Sequence, residues 1–426
     1  MADLSWAVHI TYYAFLFSLP FATIGFGSGS SITKTMGYLF IMTTVLKPRI
    51  CYGRLDKALW FFASYLVIYV LTGVLTIFSL PEPDSSELLA GFRTVFGTLV
   101  QLLVLFWVSS NLLTDSRVAR ASLFAFAAGC MLLGVIQSLG YTGEVQGPDE
   151  RVAAFGTNPN LIGHFLVLGF VILVGLAYGQ ANRNRTARAC FWLFSAVLFV
   201  PIMRTGSRGA VLALVAGCSV FVLHRASLFQ RVKLGTIGVA GIVLLVFALF
   251  TVETMRTRWE RTLFEGDTTG RDEMNAQAEL MIAEKPFFGW GPIYHQVELG
   301  RRVGYHVARD FHNLYFHMVT EVGLLGSIPF FLGVLVCFRS AWRARNTSQG
   351  ILPLAMLTTM LVIGLSGSAL GERTLWLAFS YTAASTAYPI ARRRALSFEA
   401  LKLHRAHPYT SQPVLSNPSH YQRRSV

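Results

Sequence analysis

Residues 159–179 read PNLIGHFLVLGFVILVGLAYG, without a single Lys, Arg, Asp or Glu. An α-helix needs about 20 consecutive apolar residues to cross the hydrocarbon core of a bilayer. Runs of this kind recur along all 426 residues of the chain. The runs are continuous and do not alternate with polar residues, so they indicate membrane-spanning helices and argue against a membrane β-barrel.

The composition leads to the same fold class. The chain is 53% hydrophobic and 14% charged, with a mean hydropathy of +0.51. Soluble domains carry about 25% charged residues, and a soluble chain of this length would need polar surfaces for two or three domains. This chain lacks the residues for such surfaces. The secreted, disordered and collagen-like classes are excluded as well.

Hydropathy predicts an all-α polytopic membrane protein with about 12 transmembrane helices. The predicted spans are 6–24, 32–46, 58–79, 91–113, 118–139, 159–179, 189–203, 209–223, 234–252, 313–338, 351–370 and 374–391. The spans at 32–46, 189–203 and 209–223 are short for a full crossing. The N-terminus lacks the basic region of a signal peptide, so we expect the first apolar run to remain as a span.

The distribution of charge predicts the orientation in the membrane. The net charge of +14 alone would fit a nucleic-acid-binding protein, but in polytopic proteins Lys and Arg mark the cytoplasmic side. With the N-terminus inside, the inner segments hold 22 of the 36 Lys and Arg residues and 4 of the 22 acids. We therefore predict cytoplasmic N- and C-termini, membrane lipids as partners and no nucleic-acid partner.

The chain divides into a transmembrane domain, predicted over 1–391, and a tail. Residues 392–426 begin with RRR and continue with many Ser, Pro and His residues. This composition predicts a disordered, basic cytoplasmic extension that contacts anionic lipid.

One outer loop, 253–312, is far longer than the others, and loops of this length usually have a function. Within it, GRDEMNAQAELMIAEKPFFGWGP (270–292) predicts a turn followed by an amphipathic helix that ends at Lys285–Pro286. The apolar face of this helix is Met274, Ala278, Met281 and Ile282. The helix would lie at the membrane interface, or it would simply cover the bundle.

Five arginines fall on the predicted outer side, close to the membrane. They are Arg151 before FGTNPN, Arg204 and Arg208 on either side of TGS, Arg271 at the start of the amphipathic helix, and Arg373 in a GER turn. A single interfacial arginine often snorkels or pairs with an acid. A cluster of guanidinium groups, in contrast, matches phosphate oxygens and stays charged. The cluster predicts a lipid-linked phosphate or diphosphate as ligand.

His312 and Asn313 open the predicted span HNLYFHMVTEVGLLG (312–326). Imidazole titrates near neutrality and suits a general base at a position that water still reaches. A helix-capping or hydrogen-bonded histidine is the alternative interpretation.

Two buried polar residues are expected to have structural roles. Glu321 lies nine residues after His312, on about the opposite side of the helix, so the two side chains are not expected to pair. An acid at this depth is costly, and we expect Glu321 to bond a neighbouring helix, with Arg373 or Arg208 as partner. His164 is expected to be a hydrogen-bonded core residue.

Motifs for metal or nucleotide binding are absent from the sequence. It contains no HExxH, no Walker loop and no GxGxxG. Glu82 and Asp84 have a spacing that suits a divalent metal, but a solvated turn explains them better. The sequence therefore predicts no metal and no cofactor, with a metal-dependent enzyme using this acidic pair as a weaker alternative.

Four segments, taken together, resemble a known family. RVAAFGTNPNLIG (151–163), RTGSRGA (204–210), the 270–292 segment and the 312–326 segment occur in the order of the conserved core of the bacterial O-antigen ligase and O-antigen polymerase superfamily. That superfamily also includes exopolysaccharide polymerases and protein O-oligosaccharyltransferases. The resemblance covers roughly residues 150–330.

The resemblance implies a GT-C-like glycosyltransferase in the bacterial inner membrane. Members transfer a glycan from undecaprenyl diphosphate to an acceptor, such as lipid A–core or a second lipid-linked glycan, at the periplasmic face. They use neither a nucleotide sugar nor a metal. Carried over by motif, Arg208 and Arg271 would bind the diphosphate and His312 would act as the base.

Further substrate contacts are expected from Arg204, Arg151, Asn313 and Arg373. Two departures from the family pattern occur. Phe316 stands where the HNxxL motif often has Leu, and Met274 and Asn275 replace the aromatic residue often found after the GR pair.

Two alternatives remain at the level of the sequence. A ligase and a polymerase differ only in the acceptor, and the motifs lean slightly towards a ligase. A lipid-linked oligosaccharide transporter would also have many spans, but transporters usually place ionisable residues near the bilayer midplane and show internal repeats.

Overall fold

The described part of the chain is helical, which confirms the predicted all-α class. The structure is a computed structural model. It describes residues 5–25, 31–79, 84–140, 145–146, 151–152, 154–179, 184–222, 241, 246–248, 250–266, 268, 270–305, 307–347 and 350–386. All of them belong to one compact unit, and the predicted tail lies outside the described residues.

The helices follow the apolar runs closely. Their bounds are α1 Ser5–Ser18, α2 Ile32–Thr44, α3 Pro48–Cys51, α4 Lys57–Ser79, α5 Asp84–Leu112, α6 Ser116–Ser138, α7 Pro159–Tyr178, α8 Arg185–Arg204, α9 Arg208–Val222, α10 Glu253–Phe264, α11 Arg271–Glu284, α12 Tyr294–Arg302, α13 Leu314–Ala344, α14 Leu352–Ile363 and α15 Arg373–Ala384. Short 3₁₀ turns cover Leu19–Phe21 and Ala369–Gly371, and β1 (Val145–Gln146) pairs antiparallel with β2 (Arg151–Val152).

Six of the described helices are long and apolar enough to cross a membrane: α4, α5, α6, α7, α8 and α13. Helices α9 and α14 are apolar but shorter. Every predicted span except 234–252 coincides with a described helix, and most of 234–252 lies outside the described residues. The count of twelve crossings therefore stays a prediction. Glu82 also lies outside the described residues.

The helix starts follow from capping residues in the sequence. The side chain of Asp115 accepts a hydrogen bond from the backbone of Arg117 at the start of α6. Asn158 caps α7 in the same way, with Pro159 at the first helical position. Such caps satisfy backbone N–H groups that have no partner within the helix.

Aromatic side chains form the centre of the bundle. The ring of Phe62 on α4 lies 5.1–5.5 Å from its four neighbours, Phe106, Phe330, Trp376 and Phe379, measured between centroids. These four come from α5, α13 and α15, so one ring joins four helices. Aromatic pairs at such distances add to the energy of apolar packing.

The long segment between α9 and α13 contains more structure than expected. The sequence predicts one amphipathic helix within 253–312, whereas the structure has three helices, α10, α11 and α12. The predicted helix is confirmed at α11, where Ala278 and Met281 are fully buried against Leu299 and Phe311. The other two are short and rich in charge.

Helix α13 is broken at Gly323, and the preceding segment repairs the break. The backbone of Gly323 has φ +74° and ψ 176°, which interrupts the helical hydrogen bonds. Residues 286–291 replace them with four backbone bonds: Trp290 N to Thr320 O (2.8 Å), Gly291 N to Glu321 O (2.9 Å), Leu324 N to Pro286 O (2.8 Å) and Leu325 N to Phe287 O (3.3 Å). A broken helix in a membrane protein requires such replacements, because lipid offers none.

Glycine is required on both sides of this contact. A Cβ at Gly323 would lie 2.2 Å from the carbonyl oxygen of Phe287, and one at Gly289 would lie 2.6 Å from the backbone nitrogen of Gly323. Both contacts are with backbone, which cannot rotate away. The GWG and EVG stretches are therefore a docking pair between the long segment and α13.

We expect Gly323→Ala to destabilise the protein by about 2–5 kcal/mol, from backbone strain and overlap with the Phe287 carbonyl. The measurement is the thermal unfolding of detergent-purified protein. Gly97→Ala is the matched control, because Gly97 lies in α5 with open space at its Cβ position. Equal melting temperatures for the two variants would contradict the docking role.

Candidate active site

The RTGSRG stretch forms the predicted tight turn. Residues 205–207 connect α8 to α9, and Gly206 has φ +63°. The hydroxyl of Ser207 accepts a hydrogen bond from Ala210 N and so caps α9. From α10, the buried side chain of Arg258 donates to the carbonyl of Gly206 over 3.0 Å. The turn that carries Arg208 is thus fixed from both sides.

Arg208 follows this turn, and its charge acts on Arg271. Arg208 donates to the hydroxyl of Thr262 on α10, and Arg271 is the first residue of α11. Burial lowers the pKa of Arg271, and the positive charge of Arg208 lowers it further. Two neighbouring guanidinium groups repel each other, and an anion bound between them offsets this repulsion. The pair is therefore a candidate anion site.

His164 on α7 belongs to the same neighbourhood. The charge of Arg271 acts on its imidazole, and its Cε1 atom would lie 3.4 Å from a Cβ at Gly367. Its Nε2 is buried and has no hydrogen-bond partner among the described residues. The prediction of a hydrogen-bonded core histidine is wrong for this atom, because α7 buries it where no described donor or acceptor comes within hydrogen-bond distance.

His312 lies at the start of α13, where Asp310 holds its ring. The Nδ1 atom of His312 is 3.5 Å from Asp310 Oδ2, and the histidine side chain is about half exposed (49%). The backbone of His312 is left-handed, with φ +51°. Such a conformation is uncommon for a residue other than glycine and often accompanies functional sites.

Residues 364–368, which we call the 364–368 turn, contact the start of α9, His164 and Asp310. Ser366 contacts Gly209 at the start of α9, and Gly367 faces His164. Ser368 donates a hydrogen bond to Asp310. The start of α9, which follows Arg208, and Asp310, which holds His312, thus both lie against this turn.

A second polar network lies beneath His312. The Nδ1 atom of His317 is 3.6 Å from Asp310 Oδ1, and its Nε2 atom is 3.9 Å from Glu321 Oε1. Glu321 also accepts a hydrogen bond from the hydroxyl of Tyr65 on α4, over 3.1 Å. His295 on α12 completes the network, with its ring centroid 4.6 Å from that of His317.

This network corrects one expectation about Glu321. Its partners in the described structure are Tyr65 and His317, and neither Arg208 nor Arg373 reaches it. The expectation of a bond to a neighbouring helix is confirmed, because Tyr65 belongs to α4. The proposed arginine partners are wrong because α13 turns this carboxylate towards α4 and α12.

The charges of the network differ from one residue to the next. Burial raises the pKa of Asp310, but hydrogen bonds and charge from His317, together with the bond from Ser368, outweigh burial and lower it overall. Burial and the neighbouring His317 lower the pKa of His295 well below its usual value. We therefore expect an ionised Asp310 beside a neutral His295.

The remaining predicted site residues lie in different surroundings. Asn313 caps α13, its Oδ1 accepting hydrogen bonds from Tyr315 N and Phe316 N. Arg204 points to the carbonyl of Ser138 at 3.5 Å. Arg373 has Glu372 and Tyr38 as electrostatic neighbours and lines a small cavity of about 60 Å³. Arg151 lies in β2, and its side chain is outside the described residues.

The sequence analysis missed four residues at or beneath the site, Arg258, Asp310, His317 and His295. Two of them had a readable signal. Arg258 shares a helix face with Met255 and Thr262 at spacings of three and four. Asp310 precedes His312 by two residues, a D-x-H spacing that can place a carboxylate beside an imidazole. His295 had no local signal, because only the docking of α12 brings it to α13.

Taken together, the fold and these groups define a multi-pass membrane protein with a polar, arginine-rich site formed by helix ends. Residues 193–331 match the family Wzy_C, described as O-antigen ligase. The match confirms the resemblance to the O-antigen ligase and polymerase superfamily for this third of the chain. It indicates a glycosyltransferase-like function with a lipid-linked glycan and an acceptor as substrates. A comparison with curated proteins gives no match.

The matched segment contains the larger part of the site. It includes Arg204, Arg208, Arg271 and His312, as well as Arg258, which the sequence analysis missed. His164 and the 364–368 turn lie outside it, so their place in the site follows from the structure alone.

We expect Arg258→Met to lower glycan transfer about 10- to 100-fold, because the carbonyl of Gly206 loses its charged donor and the turn can shift Arg208. Transfer is measured in membranes with equal amounts of protein. The matched control is Arg256→Gln on the same helix, where an exposed Arg256 pairs only loosely with Glu260, at 3.7 Å. Equal transfer by both variants would contradict the positioning role.

Proposed function

We propose that the protein is an O-antigen ligase-like glycosyltransferase. It transfers a glycan from undecaprenyl diphosphate to an acceptor sugar at the periplasmic face of the bacterial inner membrane. The observation that carries this proposal is the electrostatic effect of Arg208 on Arg271, together with one turn that contacts both Gly209, next to Arg208, and Asp310. The family match supports the reaction class, and the geometry of the helix ends supports the roles of individual residues.

The arginine pair would bind the diphosphate of the donor. The two guanidinium groups repel each other, and a diphosphate between them would turn this repulsion into attraction to a common anion. Charge accumulates on the diphosphate as its bond to the sugar breaks. Donors placed in advance around that charge usually supply the largest part of catalysis.

His312 would accept the proton of the acceptor hydroxyl. Asp310 engages Nδ1, which leaves Nε2 available to the acceptor, as in a histidine held by a carboxylate. The hydroxyl oxygen bonds the anomeric carbon, and the bond between that carbon and the diphosphate oxygen breaks. The proton moves to His312, and undecaprenyl diphosphate leaves with the electron pair.

The other predicted contacts are proposed as secondary. Asn313 commits its carbonyl oxygen to the helix cap, so its amide nitrogen is the group left for substrate. Arg204, Arg151 and Arg373 would contact the glycan or lipid further from the reacting atoms. The separate surroundings of Arg373, beside Tyr38, fit a contact at a distance from the diphosphate.

The proposed orientation rests on the charge bias of the loops. Both termini would be cytoplasmic, and the segment with α10, α11 and α12 would lie in the periplasm, where lipid-linked glycans are transferred. The basic tail at 392–426 would contact anionic lipid on the inner leaflet.

We expect Arg208→Gln, Arg271→Gln and His312→Gln each to lower transfer by about 100-fold or more while the protein still accumulates. The assay combines purified protein, an undecaprenyl-diphosphate glycan and acceptor, and follows the joined product. Arg301→Gln is the matched control on α12, because Arg301 is exposed and contacts the ring of Tyr294. Near-normal transfer by all three site variants would reject the site.

A polymerase using the same residues is the alternative, because the matched segment contains the donor-binding side that both reactions share. The glycan profile of a deletion strain separates them. Loss of a ligase leaves long chains on the carrier lipid, whereas loss of a polymerase leaves single repeats. Movement of lipid-linked glycan across vesicles without new glycosidic bonds would instead indicate a transporter.

A further inference from the structure

Three buried side chains beneath His312 converge in a way that the transfer reaction does not use. His295, His317 and Glu321 each offer one ligand atom, and these atoms all lie within 4.8 Å of one another. We propose that the three residues bind a divalent transition-metal ion, with Zn²⁺ as the best fit. The proposal does not depend on the function proposed above.

His295 provides the strongest observation. Its Nδ1 lies 3.1 Å from the carbonyl oxygen of Gly291, and a carbonyl can only accept a hydrogen bond. Nδ1 must therefore carry the proton, which leaves a lone pair on Nε2 of the neutral ring. That Nε2 atom is fully buried and has no hydrogen-bond partner among the described residues. An unpartnered buried polar atom is costly unless a ligand satisfies it.

The other two ligands have supporting partners of the kind that metal sites require. Asp310 lies 3.6 Å from Nδ1 of His317, which leaves Nε2 to face Glu321 at 3.9 Å. Tyr65 donates to one oxygen of Glu321, and the other oxygen faces His317. Metal-binding histidines usually donate their second nitrogen to a carboxylate or carbonyl, which orients the ring. His295 has such a partner in the carbonyl of Gly291, and Nδ1 of His317 faces Asp310 just beyond hydrogen-bond distance.

A shared proton explains this cluster less well than a metal. A protonated His317 could donate to Asp310 on one side and to Glu321 on the other. That arrangement would leave Nε2 of His295 without a donor, because both N–H groups of His317 would already be engaged by the two carboxylates. A metal ion accepts a lone pair from each of the three residues. It thereby removes the free-energy cost of burying these polar atoms without full pairing.

The chemistry of the ligands favours zinc. Two imidazole nitrogens and one carboxylate oxygen form a set that Zn²⁺ uses in proteins, at distances of about 2.0–2.2 Å. Ligand atoms of a tetrahedral site at such distances lie about 3.3 Å apart. Nε2 of His317 and Oε1 of Glu321 are 3.9 Å apart. Small side-chain rotations would bring them to the spacing of such a site.

We infer that the metal has a structural role. Its ligands come from α12 and from α13 just before the break at Gly323, so the ion would fasten the long segment to α13. His312 is not a ligand, and the arginine pair contacts other elements. The ion would stabilise the docking of residues 286–291 without taking part in glycan transfer.

The test is the metal content of the full chain, purified in detergent with an affinity tag that contains no histidine. We expect about one Zn²⁺ per protein by elemental mass spectrometry. After removal by a chelator, added Co²⁺ should give the visible absorption of a low-symmetry site, and Zn²⁺ should abolish it. Background metal in the wild-type protein, together with no Co²⁺ spectrum, would overturn the proposal.

Variants separate a true site from adventitious binding. Glu321→Gln keeps an acceptor for Tyr65 but loses the ligand charge, and His295→Gln removes the unpartnered nitrogen; both should reduce bound metal at least tenfold. His9→Gln is the control, because His9 lies in α1, outside this cluster, and it should retain one ion. Metal content equal to wild type in both ligand variants would reject the site, whether or not the variants remain active.

The melting temperature provides a second measurement in case a ligand variant folds poorly. Chelator should lower the melting temperature of the wild-type protein, and Zn²⁺ should restore it. Glu321→Gln should melt at the same temperature with and without the chelator. A wild-type melting temperature that does not respond to the chelator or to Zn²⁺ would contradict the structural role.

Discussion

The break in α13 at Gly323 is the constraint on which the rest of the structure depends. A helix in lipid that loses its backbone hydrogen bonds must recover them from the protein, because each unpaired group costs several kcal/mol. Residues 286–291 supply those bonds, and two glycines permit the approach of the two backbones. The long segment is thus fixed to the bundle, and with it α11, α12 and Arg271.

The site combines charges from elements that are distant in the sequence. Arg208 begins α9, Arg271 begins α11, and Asp310 precedes α13, yet the 364–368 turn lies against the first and the last of these. Helix ends suit this purpose, because their backbone already favours charged ligands and their side chains reach the membrane surface. Under the proposed function, a lipid-linked diphosphate would need such a position, since its headgroup would lie at the surface and its chain in the bilayer.

The motifs that resemble the O-antigen ligase superfamily have two different physical roles in this structure. The GR pair and the HN pair carry groups that suit chemistry. The GWG stretch and the glycine of the EVG stretch instead allow two backbones to touch, and Trp290 anchors this contact by donating to the carbonyl of Met281. Beneath the HN pair, the histidine and carboxylate cluster connects the docking contact to Asp310. The long segment and the chain around His312 are thus in contact through side chains as well as through backbone.

The sequence by itself determined the helical membrane fold, the positions of most helices and the apolar face of α11, and it predicted Arg208 and Arg271 as candidate ligands of an anion. Hydropathy and capping are local properties, and they need no knowledge of distant contacts. Only the tertiary structure decided that Glu321 faces Tyr65, that His164 lies beside Arg271, and that α10 and α12 exist at all. Their helical signal is weak because few apolar residues mark them, and the partners of a buried polar atom depend on which helices meet. A single sequence does not show which helices pack together, because that packing depends on contacts along the whole chain.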